Sequence, residues 1–452
     1  MDQATLMGEP SGDGGAPTAR LLQRVAAVCP VTRAGGPGDA LAGRTPAVRA
    51  APADGTEVAA VLAATAPLGA AVGLRGGGTQ VDLGAPPRAL DLLLELRQQA
   101  GVLEYDPGDL VIRAKAGTSV DELRHVTVEH RQMLALDGPP TTLGGLVATG
   151  VSGPRRHRYG AVRDLLIGAA FVLADGTRAK AGGKVVKNVA GYDLCKLLTG
   201  SLGTLAVITE VTFRLHPLPA ASTTVTVPLA NRERVPVTLA RLRGSRLEPV
   251  AVEVAADLHR GTAVLVLLFD GLPEIVQQQA REAATLLDGE LSGPTLPSWW
   301  GRPPWADLAE PVLGLRVVCA PTAVGAALAA LAAFAGSAGA HPAPPGSTAP
   351  RPSVAGAAPG EAGPVARGRA ALGVLEAAIP CSDGVDSAAL AGLRAALGAL
   401  DGTAVVTHWL GRPGQADLDR WGPVRGVELM RAIKDCFDPD HRLAPGRFVG
   451  GI

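Results

Sequence analysis

Three glycine clusters in the first half of the chain restrict what it can fold into: "LRGGGTQ" (74–80), "TTLGGLVATGVSG" (141–153) and "GSLGTLAVITEV" (200–211). Successive glycines after an apolar run let backbone N–H groups approach an anion with no Cβ in the way, and they tolerate the left-handed backbone of a tight loop. "RGGGTQ" is no Rossmann fingerprint, because no G-x-G-x-x-G opens a helix, and without Gly-Lys-Ser/Thr it is no Walker loop. One Gly-Gly-Gly alone is more often a flexible turn. Three clusters in one half point to a single nucleotide site, to which Arg75 adds charge and Thr79 a hydroxyl.

Length and composition narrow the class. The 452 residues leave room for two or three domains at about 100–200 residues each. Aromatics make up only 3% against 47% hydrophobic residues, so Ala, Val and Leu must fill the core. The 42 basic and 42 acidic side chains cancel, which removes any general attraction to nucleic acid or anionic lipid. Cys29, Cys195, Cys319, Cys381 and Cys436 never form C-x-x-C, which argues against a disulfide framework or a zinc or iron–sulfur site held by this chain; reduced structural thiols are expected. The start lacks a basic and apolar leader, and no apolar run reaches the ~20 residues of a spanning helix. A cytoplasmic location is therefore expected, with membrane contact only peripheral, through a partner.

Two stretches are too poor in large apolar residues to offset chain entropy: residues 1–20, expected to be a disordered terminus, and 340–369, expected to be a flexible Pro/Ala/Gly-rich insertion. Elsewhere helical and strand patterns alternate. "TEVAAVLAATAPLG" predicts a helix entered at Thr56, followed by a strand running into the first glycine cluster. "GVLEYDPGDLVIRAK" predicts two strands about a Pro107–Gly108 turn, then a helix capped at Thr118 or Ser119, and Asp175–Gly176 marks a further hairpin. "KVVKNVAGYDLCKLLTG" (184–200) reads as a helix stopped by glycine before a strand. After "RLHPLP" (214–219) the glycine motifs cease, which sets the boundary between a domain at 21–217 and another at 218–452. The class is α+β.

The order of "RGGGT", "TTLGG", "RYG" (158–160), "DGT" (175–177) and "GSLGTLAVITEVTFRL" resembles the FAD-binding domain of vanillyl-alcohol-oxidase or PCMH-type flavoproteins, collinearly from about residue 47 to 217. Within that family, "GPRRHRYGAVRDLLIG" and "KVVKNVAGYDLCKLLTGSLGTL" are most similar to the E-type FAD-binding subunits of glycolate oxidases. The resemblance implies a two-subdomain PCMH-type FAD-binding domain followed by a smaller α+β FAD-linked-oxidase C-terminal domain. It implies that Arg75, Gly76, Gly77, Gly78, Thr79 and Gln80 wrap the pyrophosphate, and that Thr142, Leu143, Gly144, Gly145, Ala148, Thr149, Gly150 and Gly153 line FAD through backbone contacts. Gly203 and Ile208 would touch its other side. Most of these positions are small or turn-forming, as close backbone approach requires. The implied partners are a second, D-type flavoprotein and an iron–sulfur F-type subunit, and the implied reaction is oxidation of a small 2-hydroxyacid such as glycolate to a 2-oxoacid.

Several positions depart from the family pattern. Thr79 stands where some members carry a flavin-linking His, so FAD is expected to bind non-covalently. No His-x-His occurs, so the metal pair of the D-type subunits is missing and no metal is expected. "CFDPDHRLAPGRF" is similar to the end of FAD-linked oxidase C-terminal domains, with Ala444 where Asn is usual. The basic run Arg155–Arg158 is either a solvated loop, an attractor for a carboxylate substrate or a docking site for an acidic partner. Lys187, Tyr192 and Asp193 either cap local backbone or orient a group near the flavin. The leading reading is a FAD-binding subunit of a glycolate-oxidase-like complex; its rivals are a stand-alone FAD-linked oxidase and a non-catalytic assembly subunit.

Overall fold

The computed structural model describes residues 15–138, 140–184, 192–306, 311–337, 363–381, 384–409 and 418–452. Three sheets carry the architecture. The first has four strands, in the order Val31–Arg33, Val48–Ala50, Leu92–Glu95, Val72–Arg75, and helices Gly15–Ala26 and Gly55–Thr65 cover it. Its core is Val48, Val58, Leu62, Val72, Leu92 and Leu94, with Leu21 and Val25 added from the first helix. That helix begins inside the stretch whose composition suggested a disordered terminus. The reason is the pair Leu21 and Val25, one turn apart on one face, which gives the otherwise polar segment a stripe to bury.

The second sheet, ordered Val102–Asp106, Val111–Lys115, Val207–Arg214, Leu166–Val172, Arg178–Gly182, is antiparallel throughout. The turns fall where the sequence put them: Leu110 N–H donates to Pro107 O, and Gly176 at φ +92° closes the Asp175 hairpin. Helix Val120–Val128 is capped by Ser119, whose Oγ accepts from Glu122 N–H at 3.0 Å. The earlier helix is entered at Asp54 rather than Thr56, because a carboxylate one turn ahead accepts both Thr56 and Glu57 N–H.

The third sheet has eight antiparallel strands, in the order Glu290–Gly293, Ala221–Leu229, Ala263–Gly271, Ala251–Asp257, Val365–Arg369, Val374–Pro380, Val312–Val318, Thr403–Trp409. One face alternates into a core of Val252, Val254, Leu313, Leu315 and Leu375 beneath the helices Pro273–Leu287 and Val324–Ser337. Residues 365–369 were expected to lie in a flexible insertion and instead form an inner strand. "VARGR" looks weak in isolation, yet it is paired on both sides, by Ala251–Asp257 and Val374–Pro380. Residues 340–362 of that insertion lie outside the described residues.

The chain then returns to the first domain. Leu443 bridges to Val72, and the Arg442 guanidinium, buried, donates to Ala70 O, Ala174 O and Thr65 Oγ1. Lys434, fully buried, donates to Thr204 O at 2.6 Å, Leu443 O at 3.0 Å and Asp438 Oδ2 at 2.6 Å, and Asp438 also accepts the N–H of Leu443. Burial drives the Lys434 ammonium below its ordinary value, while its bond to Asp438 opposes that. Lys434→Met would leave the Asp438 charge buried without its cation, which costs about 3–5 kcal/mol. We expect a clear drop in the thermal midpoint of the first domain, read by calorimetry; an unchanged midpoint would show that the pair carries no such weight.

Candidate functional site

The three glycine clusters come together. A Cβ on Gly76 would lie 2.4 Å from Thr142 Oγ1, and one on Gly203, at φ +75°, would lie 2.8 Å from Leu74 Cδ1. Gly150, in the left-handed region, meets the Gly200 backbone, and Gly200 and Leu202 N–H donate to Val147 and Ala148 carbonyls. Thr142 caps the short helix Leu143–Thr149 by accepting Gly145 N–H at 3.3 Å. A Cβ on Gly144 would sit 2.8 Å from that of Ala116, so this helix can press onto the second sheet only with glycine there. The missing Cβ therefore admits a side chain at Gly76, Gly203 and Gly144 and the Gly200 main chain at Gly150, which closes the first sheet, the second sheet and the loop at 200–206 onto one another.

The predicted positions do different things within this junction. The loop at 75–81 borders a groove flanked by Thr32, Arg49, Glu95 and Arg97, and its far end, Gln80, reaches a second cleft. The Arg75 guanidinium is taken up by Glu95, with Nε to Oε1 at 2.7 Å, and by Gly38 O, which leaves much of its charge neutralised on the spot. Gly77, Gly78 and Thr79 lie along that loop, Thr79 exposed. Leu143 and Ile208 turn their side chains into the core of the second sheet, so only their backbone is available to a ligand. Thr149 Oγ1 returns to Gly145 O. Gly153 approaches Asp137, where a Cβ would come within 2.4 Å of the carbonyl oxygen, and it lines the second cleft.

The basic run joins the domains. Arg155 donates to Asp137 Oδ1 at 2.8 Å and to Asp270 Oδ2 at 3.2 Å, and Asp270 belongs to the eight-stranded sheet. Burial opposes the charge, but the two carboxylates outweigh it and hold the guanidinium above its ordinary value. Arg158 reaches Glu248 at 3.5 Å with both partners exposed, a pair worth little. Lys187 lies outside the described residues. Tyr192 is 96% exposed, and Asp193 accepts Lys196 N–H as the cap of helix Leu194–Leu198, so the local capping role is the one its geometry supports.

Between the domains opens the cleft that Gln80, Ser152 and Gly153 bound on one side. The other side is the second face of the eight-stranded sheet. Glu253 lies opposite Arg369, Arg367 opposite Glu376, and Glu376 opposite Arg316, so the register sets all five side chains on one face. Glu376 pairs with Arg316 at 3.1 Å and Arg369 at 3.4 Å, while Arg369 also donates to Ser152 O across the cleft. Burial acts to raise the Glu376 carboxyl, and the Arg369 and Arg316 charges outweigh it, holding it below the usual range. Glu253 fares otherwise: it is 4% exposed, its Oε1 has no hydrogen-bond partner, and burial pushes it up to about 8 against the pull of Arg369. Trp299 and Trp305 wall the cleft; Arg367 lies over the Trp299 ring at 5.8 Å and Trp305 stacks on His408 at 5.6 Å. Burial keeps His408 below its ordinary value despite Asp82 nearby.

Comparison with known proteins identifies both domains. The FAD binding domain family matches residues 46–182, and the FAD linked oxidases, C-terminal domain family matches residues 381–448. The chain thus carries, in this order, the FAD-binding and C-terminal domains of an FAD-linked oxidoreductase. Among its relatives, the Escherichia coli K12 glycolate oxidase subunit GlcE is 39% identical over 153 residues, covering 33% of this chain and 43% of GlcE. An Archaeoglobus fulgidus D-lactate dehydrogenase is 32% identical over 255 residues, 52% of this chain and 55% of the relative. The chain thus spans about half the length of these curated relatives. Substrate-bound p-cresol methylhydroxylase shares the fold, with a TM-score of 0.73 at 15% identity over 97% of this chain and 98% of its own. The groove along Arg75, Gly76, Gly77 and Gly78 fits the cofactor of FAD-binding domains: three successive residues without Cβ leave the backbone open to a long dinucleotide.

The sequence reading missed the charged face of the third sheet. Its signal was present as single charged residues inside apolar strands, Glu253 in "AVEVAAD", Arg316 in "VLGLRVV" and Glu376 in "VLEAAIP".

Two outcomes are expected. Gly76→Val forces the 75–81 loop off Thr142, so the purified variant carries less flavin, read as the ratio of flavin to protein absorbance; full retention would refute the groove's fit. Glu253, raised above the unfolded carboxyl, holds a proton in the folded chain that the unfolded chain releases. Stability therefore falls as pH rises from the ordinary carboxyl range to about 8, and Glu253→Gln, measured by denaturation at several pH values, flattens that slope.

Proposed function

We propose that this chain is the FAD-binding subunit of a glycolate-oxidase-like complex that oxidises a small 2-hydroxyacid to a 2-oxoacid. The observation that carries the reading is the junction of the three glycine clusters beside an interdomain cleft with an arginine-rich wall. The likeness to GlcE supports the subunit role, and the likeness to D-lactate dehydrogenases supports a hydroxyacid as substrate.

When bound, FAD supplies the two-electron acceptor. The chain's own part is position and charge. The backbone of Gly76, Gly77, Gly78, Thr142, Gly144, Gly145 and Gly150 would hold the dinucleotide, with Arg75, Thr79 and Gln80 along the same loop and Leu143, Ala148, Thr149, Gly153, Gly203 and Ile208 around the remainder. Thr79 offers no imidazole for a covalent link, so FAD is held non-covalently. Arg155 keeps the two walls of the cleft together, and Trp299 and Trp305 restrict water and the size of what enters. A D-type flavoprotein and an F-type iron–sulfur protein complete the assembly. Among the described residues no helix is long and apolar enough to cross a membrane, and the place proposed for the complex is the cytoplasm, with any membrane association made through partners.

A second reading, a stand-alone oxidase, rests on the likeness to the Archaeoglobus fulgidus D-lactate dehydrogenase over 52% of this chain. Capture of the tagged chain from native extract, with flavin analysis, separates the two. Recovery with a second flavoprotein and a cysteine-rich iron–sulfur protein, and release of the flavin by acid, is the expected result. A chain recovered alone, yellow and reduced by a hydroxyacid, would favour the stand-alone reading, and a colourless chain would refute both.

A further inference from the structure

The turn that follows the first glycine cluster is held by cations from the far end of the chain. Four successive carbonyls accept from two guanidinium groups. Arg447 Nη2 donates to Val81 O at 2.8 Å and Leu83 O at 2.7 Å, and Arg420 Nη1 donates to Asp82 O at 2.8 Å and Gly84 O at 3.0 Å. Ala85 N–H donates in turn to Arg447 O at 3.0 Å. Only glycine fits at Gly84, φ +90°, because a Cβ would lie 2.7 Å from both Arg447 O and Leu202 Cδ1 of the third glycine cluster. Arg447 and Arg420 are 5% and 8% exposed, and the carboxylate whose charge supports both is Asp82. Burial, with the Arg420 charge beside it, lowers Arg447 to about 10. Placing two cations there costs desolvation energy, whereas water could satisfy the carbonyls of a surface turn without that cost. What the arginines add is a fixed position.

We infer that Arg420 and Arg447 are positioning residues for FAD: by fixing the turn at 81–84 they hold the loop Arg75–Gln80 in its binding shape, so that flavin affinity depends on docking of the C-terminal segment. The inference rests on the reading that this loop holds FAD, and it adds a dependence on residues 336 to 366 positions downstream. Turn and loop are one unit. Leu83 N–H donates to Gln80 O at 3.2 Å, and Val81 lines the same groove as Gly76, Gly77 and Gly78. Arg420 is in turn tied to the eight-stranded sheet, since its carbonyl accepts from Val406 N–H at 2.7 Å in the edge strand Thr403–Trp409. His408 of that strand faces Asp82 at 3.6 Å and stacks on Trp305, a wall of the cleft. The second domain thus reaches the glycine loop through one gripped turn. Linkage makes the effect reciprocal: whatever docking of this segment does for FAD binding, bound FAD does for docking.

The test is titration of the full chain, freed of flavin, with FAD well below its unfolding temperature, read by flavin fluorescence. Arg420→Met weakens FAD binding by about tenfold or more, because two carbonyls of the turn lose a charged donor. Arg420→Lys can still donate to both carbonyls from one nitrogen, as Arg420 Nη1 does, and restores the affinity to within about threefold of the unaltered chain. A residue that only added stability would lower the thermal midpoint of the flavin-free chain and leave the affinity where it was. Hydrogen exchange on the unaltered chain needs no variant to fold: FAD slows exchange by about tenfold at Leu83 and Ala85 and also at Arg447 and Phe448 in the C-terminal segment. Unchanged FAD affinity in Arg420→Met, or protection by FAD confined to residues 76–80, would overturn the inference. A chain that binds no FAD fails the cofactor reading and this inference with it, whereas FAD binding indifferent to Arg420 removes this inference alone.

Discussion

The guanidinium of Arg155 holds the two halves of the molecule at a set distance. Its partners are Asp137 in the first domain, half-buried, and Asp270 in the eight-stranded sheet, whose side chain is 1% exposed, and Ser222 Oγ donates to Asp270 at 2.6 Å. A largely covered cation between two carboxylates is strongly directional, because every unmet lone pair costs desolvation energy. Arg369 reaches back to Ser152 O from the other side, so the cleft is spanned at two points. Its width, and hence what the glycine loops and the charged sheet face can hold between them, follows from these contacts.

A second set of buried charges ties the end of the chain to its beginning. Lys434 and Arg442 donate to carbonyls of the 62–70 segment, Ala174 and Thr204, next to the loop that carries Gly203, and Asp438 accepts from Lys434 and from the N–H of Arg442 and Leu443. Arg447 does the same for Val81 and Leu83, just past Gln80. The C-terminal segment therefore buttresses the glycine junction, while the strands before it build the opposite wall of the cleft. Ala444, at φ +43°, adopts there the left-handed backbone that an Asn would take with less strain.

Much of the candidate site was legible in the sequence. The glycine clusters announced close backbone approach, and the hairpins at Pro107 and Asp175 form as their turn residues require. The charged face of the third sheet was not legible as a site. Glu253, Arg316 and Glu376 are separated by up to 123 residues and each looks like an isolated polar position in an apolar strand. "VARGR", carrying Arg367 and Arg369, was hidden by its Pro- and Ala-rich surroundings, since its strand conformation comes from pairing on both edges and not from its own propensity.

The sequence by itself determined the places where main chain could touch main chain, because only glycine leaves out the Cβ, and it determined the absence of an imidazole at Thr79. Strand pairing decided the rest. Register placed Glu253 opposite Arg369 and Glu376 opposite Arg367, and Arg369 turns diagonally to pair with Glu376, so two carboxyls of equal chemistry were driven in opposite directions. Such a division depends on distances and burial within a fold, and residue identity alone carries neither.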